Sequence, residues 1–409
     1  MLPHSEENRI FMLDVLRGFA ILGILLANIT SFATPVITSQ FALSLPDRSS
    51  AEALFDILTL IFVNGKFRSI LAILFGVGLW MQYEKRSAAG TWPKSYLKRM
   101  AWLLLIGLIH GYLIWWGDIL STYAVVAVLA LVVVKSSDKT LWWLIAALEA
   151  NALLTAAVLV PGLIYVSRNA DPGEWTVGAV WPMFSTAGET IVYQSGTWIE
   201  QLTHRAVYFS LNLTYGLVFG LVLMPLFLFG ILLARKGVLS APSEHPEYVK
   251  GCFLAAFGLG LPLSMLSLLP LSVKDMEILQ LGFEIFIGPL LALGYLMAIA
   301  LLVERGRAGW IAQVLAKVGR VALSAYLLQS VACTFVFYTW GLGLFGKLQP
   351  IGWLLVVLVV WSLDVAFALL WLRWFRMGPT EWLWRSLAAS KRLPMRRSTY
   401  NEPERGESL

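Results

Sequence analysis

The sequence is short of charge. Asp, Glu, Lys and Arg supply 14% of its 409 residues, against about a quarter in soluble globular proteins, so an ordinary water-soluble domain is excluded. Cysteine is nearly absent. The 2 present, Cys252 and Cys333, lie in apolar stretches and provide neither a disulfide framework nor a zinc-binding spacing. Histidine occurs 4 times, and no H-E-x-x-H, Walker A, G-x-S-x-G or dinucleotide-binding glycine pattern is present. No metal site is expected.

What the chain has instead is apolar and aromatic. It is 58% hydrophobic and 13% aromatic, with 18 tryptophans and a mean hydropathy of +0.73. The net charge of +6 is spread between apolar runs rather than gathered in one stripe, so it marks topology and not a nucleic-acid partner. The fold class expected is an all-α integral membrane protein.

The runs read as Ile10–Phe32, Leu54–Gln82, Ala101–Trp116, Ile119–Val134, Leu141–Val166, Ala206–Ala234, Cys252–Leu271, Ile278–Val303, Val321–Phe345 and Ile351–Leu372. A spanning helix needs about 20 apolar residues, so about ten transmembrane helices fit. The first reads as a signal anchor. The second is broken at Asn64-Gly65-Lys66-Phe67-Arg68, leaving open whether 54–64 spans the membrane or is re-entrant. The third and fourth meet at Trp115-Trp116-Gly117-Asp118, a tight helical hairpin.

Lysine and arginine orient these runs. With the N-terminus inside, only Arg48, Arg168, Arg205, Lys274 and Lys347 fall outside, while Arg17, Lys66 and Arg68 lie within runs. The positive-inside rule therefore puts both termini in the cytoplasm. Residues 1–376 form the transmembrane domain, with an external loop at 167–205 in which Glu189–Arg205 is expected to make a short amphipathic helix. Residues 377–409 read as a cytoplasmic interfacial anchor and a basic tail, disordered after Lys391.

Ionisable residues inside apolar runs are functional suspects, because each costs a few kcal/mol to insert. Asp14 and Arg17 stand one turn apart on the first run. Arg17 and Asn28 fall within about 20° of one helical face at 100° per residue. An ion pair that merely helps insertion is the competing reading. His110 lies about 14 Å into the third run, and Arg17 about 10 Å into the first, so the two are expected to face one cavity. Imidazole titrates near neutrality, which suits proton transfer; a histidine bonded to a neighbouring helix is the plain alternative. Asp118 reads as a water-accessible turn residue or a site residue. Glu149, Asn151, Glu284 and Asp364 read first as interhelical hydrogen-bond partners. Lys66 and Arg68 suit an anion, or the interface. Gly216-x-x-x-Gly220 would permit close helix packing in a homo-oligomer.

Several motifs stand out along the chain: Leu13-Asp14-x-Leu16-Arg17-Gly18 with Asn28, Lys66-Phe67 ahead of Leu74-Phe75-Gly76, and Gly107-Leu108-Ile109-His110 leading to Trp116-Gly117-Asp118. They continue in Gly319-Arg320-x-Ala322-Leu323-Ser324-x-Tyr326-Leu327-x-Gln329-Ser330 and in Gly378-Pro379-x-Glu381-Trp382-Leu383-Trp384-Arg385. In these motifs, in this order, the chain resembles the YeiB family of bacterial membrane proteins of unknown function, with a weaker match at Tyr193, Gly196 and Arg205. That family's first-helix motif and helix layout resemble the transmembrane acyltransferases, among them heparan-α-glucosaminide N-acetyltransferase. The resemblance implies a multi-pass protein of the bacterial cytoplasmic membrane. It would move an acyl group from cytoplasmic acyl-CoA, acetyl-CoA being the expected donor, to a sugar-like or other hydroxyl or amine acceptor. His110, Arg17 and Asp14 would be catalytic, and Asn28, Asp118, Lys66, Arg68, Arg320 and Gln329 would bind substrates. A small-solute transporter and a non-catalytic scaffold are the alternatives.

Overall fold

Apolar runs whose backbone amides must be paired without water fold as helices. The structure, a computed structural model, describes residues 6–36, 49–169, 182–268 and 282–397. Among the described residues there is no strand beyond a single antiparallel bridge between Phe375 and Arg396. The helices are α1 (Glu6–Ala33), α2 (Ser50–Phe62), α3 (Lys66–Ala88), α4 (Lys94–Ile109), α5 (Leu120–Ala130), α6 (Asp138–Asn169) and α7 (Thr186–Ser195). They continue with α8 (Trp198–Lys236), α9 (Pro246–Phe253), α10 (Gly288–Glu304), α11 (Gly309–Arg320), α12 (Ala322–Phe337), α13 (Pro350–Trp374) and α14 (Pro379–Ala389).

Six stretches among the described residues are long and apolar enough to cross a bilayer, or seven if α11 and α12 count as one broken span. The chain is an all-helical membrane protein. Several expected runs take a different form. Ile119–Val134 gives only the 11 residues of α5, about 16 Å of helix against a hydrocarbon core of about 30 Å. The run expected from Val321 begins at an 82° bend between α11 and α12. The break after α2 is local: Gly65 has φ 79°, while Ser50–Ala88 as a whole makes one apolar stretch of 39 residues.

The segment expected to be one amphipathic helix is two. Ser185 caps α7 by accepting from the Gly188 amide. Thr197 and Glu200 form a capping box that starts α8 afresh. Residues 170–181 of the expected loop lie outside the described residues, as do the side chains around Gly216 and Gly220. The tail after Lys391 is tied down as far as Arg397: the Arg376 amide donates to Met395 O at 2.9 Å and the Arg397 amide to Trp374 O at 2.9 Å. Residues 398–409 lie outside the described residues.

Close helix crossings hold the bundle. A Cβ on Gly18 of α1 would stand 2.0 Å from Leu315 O of α11, and one on Gly319 would stand 1.8 Å from Asp14 O. Backbone therefore meets backbone there, as small residues allow between apolar helices. Gly76 of α3 and Gly230 of α8 make the same kind of contact, with Phe227 O and Ile73 O. Around these crossings lies a large aliphatic core, including Leu16, Ile70, Leu74, Phe227 and Leu296. A second core at the far end of α1 is aromatic, built from Phe32, Trp115, Trp116, Tyr193, Phe209, Tyr338 and Trp353.

Placing valine at Gly18 or Gly319 should force α1 and α11 apart and cost at least ~1–3 kcal/mol of overpacking. A lowered thermal midpoint of the detergent-purified protein checks this. An unchanged midpoint for both variants would contradict the close crossing.

Candidate functional site

The α4 helix widens at its end into a π-turn, His110–Ile114, a distortion that often accompanies functional sites. Trp115 is extended, and the chain returns through Asp118 into α5. This hairpin faces His110 with Asp118: Nδ1 and Oδ1 are 2.9 Å apart, and the two side chains are 1% and 0% exposed. Asp118 is thus buried rather than water-accessible. Its other oxygen accepts from the Ser121 amide at 2.8 Å and the Ser121 hydroxyl at 2.6 Å.

An ionised Asp118 can only accept on Oδ1, which makes His110 Nδ1 the donor; in the neutral imidazole the lone pair is then on Nε2. That nitrogen is buried and has no hydrogen-bond partner among the described residues. The imidazole packs against the rings of Tyr326 at 5.1 Å and Trp115 at 6.4 Å. Gly107 makes the pairing possible, since a Cβ there would lie 2.6 Å from the Ser121 amide and 2.8 Å from Asp118 Oδ2.

The structure does not bring Arg17 against His110. Arg17 donates to Asp14 at 2.9 Å and keeps 35% of its side chain exposed. Its charge acts on Arg99 and Arg385. Arg99 precedes His110 on the same helix by about 16 Å at 1.5 Å per residue. The C-terminal helix α14 completes this basic end. Glu381 accepts from the Leu323 amide at 2.7 Å, the Ser324 amide at 3.1 Å and the Ser324 hydroxyl, capping α12. Trp384 donates to Arg99 O at 2.7 Å, with the Arg99 guanidinium 3.9 Å above its ring. Arg385, solvent-exposed, is thereby set near Arg17 and Arg99. Arg320 donates to Arg376 O at 2.9 Å and adds its charge near Asp14.

Other expected residues have structural partners. Gln329 donates to Ile21 O at 3.1 Å and to Asp364 at 2.7 Å, joining α1, α12 and α13. Lys66, fully buried, donates to Leu60 O at 2.6 Å across the α2–α3 break. Arg68 is half-buried and its backbone oxygen accepts from the Tyr123 hydroxyl at 2.6 Å. Asn28 is half-buried between Leu25 and Ile29 of the aromatic core. Asn151 is exposed and Glu149 half-exposed on α6, so they are not packed inside this bundle. The Glu284 side chain lies outside the described residues.

Sequence reasoning missed a second polar cluster, at the aromatic end. Gln201, His204, Arg205 and Tyr208 fall on one face of α8 by their spacing of three, four and seven, the signal that could have revealed them. Glu189 of α7 is 2% exposed and accepts from the Val36 amide at 2.9 Å. Burial outweighs that bond and pushes its pKa up to about 8. His204 bonds the Tyr193 hydroxyl through Nδ1 at 3.1 Å; burial, then the Arg205 charge, push its pKa down to about 3.

A family model described as protein of unknown function (DUF418) matches residues 233–391. The uncharacterized protein YxaH of Bacillus subtilis is 35% identical over 97% of this chain and 98% of its own length. The uncharacterized protein YeiB of Escherichia coli is 32% identical over 92% and 95%. An uncharacterized 39.9 kDa protein in the amylase 3′ region of Bacillus acidopullulyticus is 25% identical over 96% and 97%. No solved structure matches. The chain belongs to the family of YxaH and YeiB.

The raised pKa of Glu189 has a consequence for stability. The unfolded chain releases this proton near 4.5 and the folded protein holds it to about 8, so stability falls as pH rises between those values. Glu189→Gln should remove that part of the fall while keeping an acceptor for Val36. Thermal midpoints at pH 5.5 and 8.5 check this; equal drops for both proteins would refute a protonated Glu189.

Proposed function

We propose that this YeiB-family protein is a membrane-embedded acyltransferase in which His110, oriented by Asp118, is the general base. The observation that carries the reading is the buried Nδ1–Oδ1 pair with an unpartnered Nε2 on its far side. A base oriented by a carboxylate, with its second nitrogen free to take a proton, is the arrangement used in acyl transfer. The acceptor hydroxyl or amine gives its proton to Nε2 as it attacks the thioester carbonyl. A new C–O or C–N bond forms, the C–S bond breaks, and the imidazolium returns the proton to the departing thiolate. Asp118 stabilises the imidazolium between these steps.

The donor enters at the basic end. There Arg17, Arg99, Arg320 and Arg385 offer guanidinium forks to the phosphates of a cytoplasmic acyl-CoA, with acetyl-CoA the expected species. Asp14 orients Arg17. This reading moves Arg17 and Asp14 from the reacting atoms to the donor's phosphates. It takes both termini to lie in the cytoplasm of a bacterial cell, since the lysines and arginines concentrate on that side. A small-solute transporter is the second reading. It is favoured by the broken α2–α3 pair with Lys66 buried at the break.

His110→Ala should abolish thiol release from acetyl-CoA by the purified protein while leaving CoA binding intact. Asp118→Asn should slow release by about 10²–10⁴. Arg385→Ala should weaken CoA binding about tenfold with little change in turnover at saturation. Calorimetry and a thiol assay read these effects. CoA binding absent from well-folded wild type, or thiol release indifferent to His110, would remove the enzyme reading and turn attention to uptake assays.

A further inference from the structure

The cluster at the aromatic end has no part in the chemistry just described, yet it carries the least compensated charge in the described bundle. Arg205 is 2% exposed. Its Nε and Nη2 are buried without a hydrogen-bond partner, and no ion pair reaches it among the described residues. Those two nitrogens lie on the same edge of a guanidinium. They form the parallel N–H pair that grips a carboxylate or phosphate through two bonds.

The neighbours do not neutralise this charge. Glu189 is engaged by the Val36 amide, its other oxygen stands 3.8 Å from His204 Nε2, and burial favours its protonated form. His204 is neutral for the same reason of burial. A buried cation left alone is strongly unfavourable, so an anion is the missing element. Further polar atoms remain for a hydroxylated molecule: Gln201 Oε1 and His204 Nε2 are also buried without partners. Around them stand aromatic faces. Phe184 stacks on His204 at 5.0 Å, and Tyr208 links His204 at 4.6 Å to Trp116 at 5.8 Å.

We propose that Arg205 binds the carboxylate or phosphate of a small hydroxylated molecule at the aromatic end of the bundle, with Gln201 and His204 contacting its hydroxyls. The inference stands whether or not His110 transfers an acyl group. If it does, Trp115 and Trp116 separate this anion site from the dyad, and an acidic sugar is the class of acceptor that would bridge them.

The test is calorimetry on the full chain in uncharged detergent. The probes are glucuronate, inorganic phosphate and, as the neutral control, glucose. Saturable binding of glucuronate or phosphate but not glucose is expected. Arg205→Met should abolish it without lowering the thermal midpoint of the ligand-free protein, since the variant removes an uncompensated charge. Arg205→Lys should weaken binding at least tenfold, because an ammonium lacks the parallel pair. Inorganic phosphate, too small to reach from Arg205 past Trp115 and Trp116 to the dyad, should bind wild type and His110→Ala alike, which separates this site from the acyl-transfer reading. Failure of both anions to bind folded wild type would overturn the proposal. So would equal binding by wild type and Arg205→Lys, a variant that keeps the charge should Arg205→Met fail to fold.

Discussion

Inside an apolar bundle a polar group has no water to turn to, and every ionisable side chain must find its partner in the protein. The pairing of His110 with Asp118 shows what that constraint demands of the rest. The carboxylate needs partners on both oxygens, so His110 faces Oδ1 and Ser121 supplies two donors to Oδ2. The loop holding Asp118 and Ser121 must touch α4, so position 107 carries no side chain. The helix must turn back within a few residues, so it widens at His110 and α5 is short. Elsewhere the same demand produces the Gln329–Asp364 bond across three helices and the Lys66 bond that closes the α2–α3 break.

The two ends of the bundle solve different electrostatic problems. At the basic end, four arginines from four parts of the chain gather around Asp14 and Glu381. The C-terminal helix is there for geometry as much as for anchoring: Glu381 and Trp384 fix it to α12 and α4, and Arg385 follows. At the aromatic end, rings exclude water around Glu189, His204 and Arg205. Burial there keeps the first two neutral and leaves the guanidinium alone. Between these ends stands the His110–Asp118 pair. A long cytoplasmic donor and a small acceptor approaching from opposite ends would meet at it, the geometry that the acyl-transfer proposal requires.

Much of this was legible in the residues. Low charge and long apolar runs determined an all-helical membrane protein, because the bilayer admits few other solutions for this composition. The break at Gly65 and the candidacy of His110 and Asp118 could be read from local pattern: a glycine inside an apolar run, and titratable groups where insertion is costly. The Asp14–Arg17 pair followed from helical spacing alone.

Partnership between distant segments could not be read. Periodicity places Arg17 and His110 at similar depths along their own helices, yet says nothing of tilt or bend, so the expected shared cavity dissolved into two separate environments. A run that is apolar enough to span can still form an 11-residue helix or bend by 82°, because packing against neighbours decides where a helix stops. Arg205 read only as the last residue of an expected external helix and a weak family match until α7, α8 and the aromatic core closed around it. Composition and spacing determined which side chains are costly to bury. Only the tertiary structure decided which of them are compensated, because compensation depends on groups brought together from far apart in the chain.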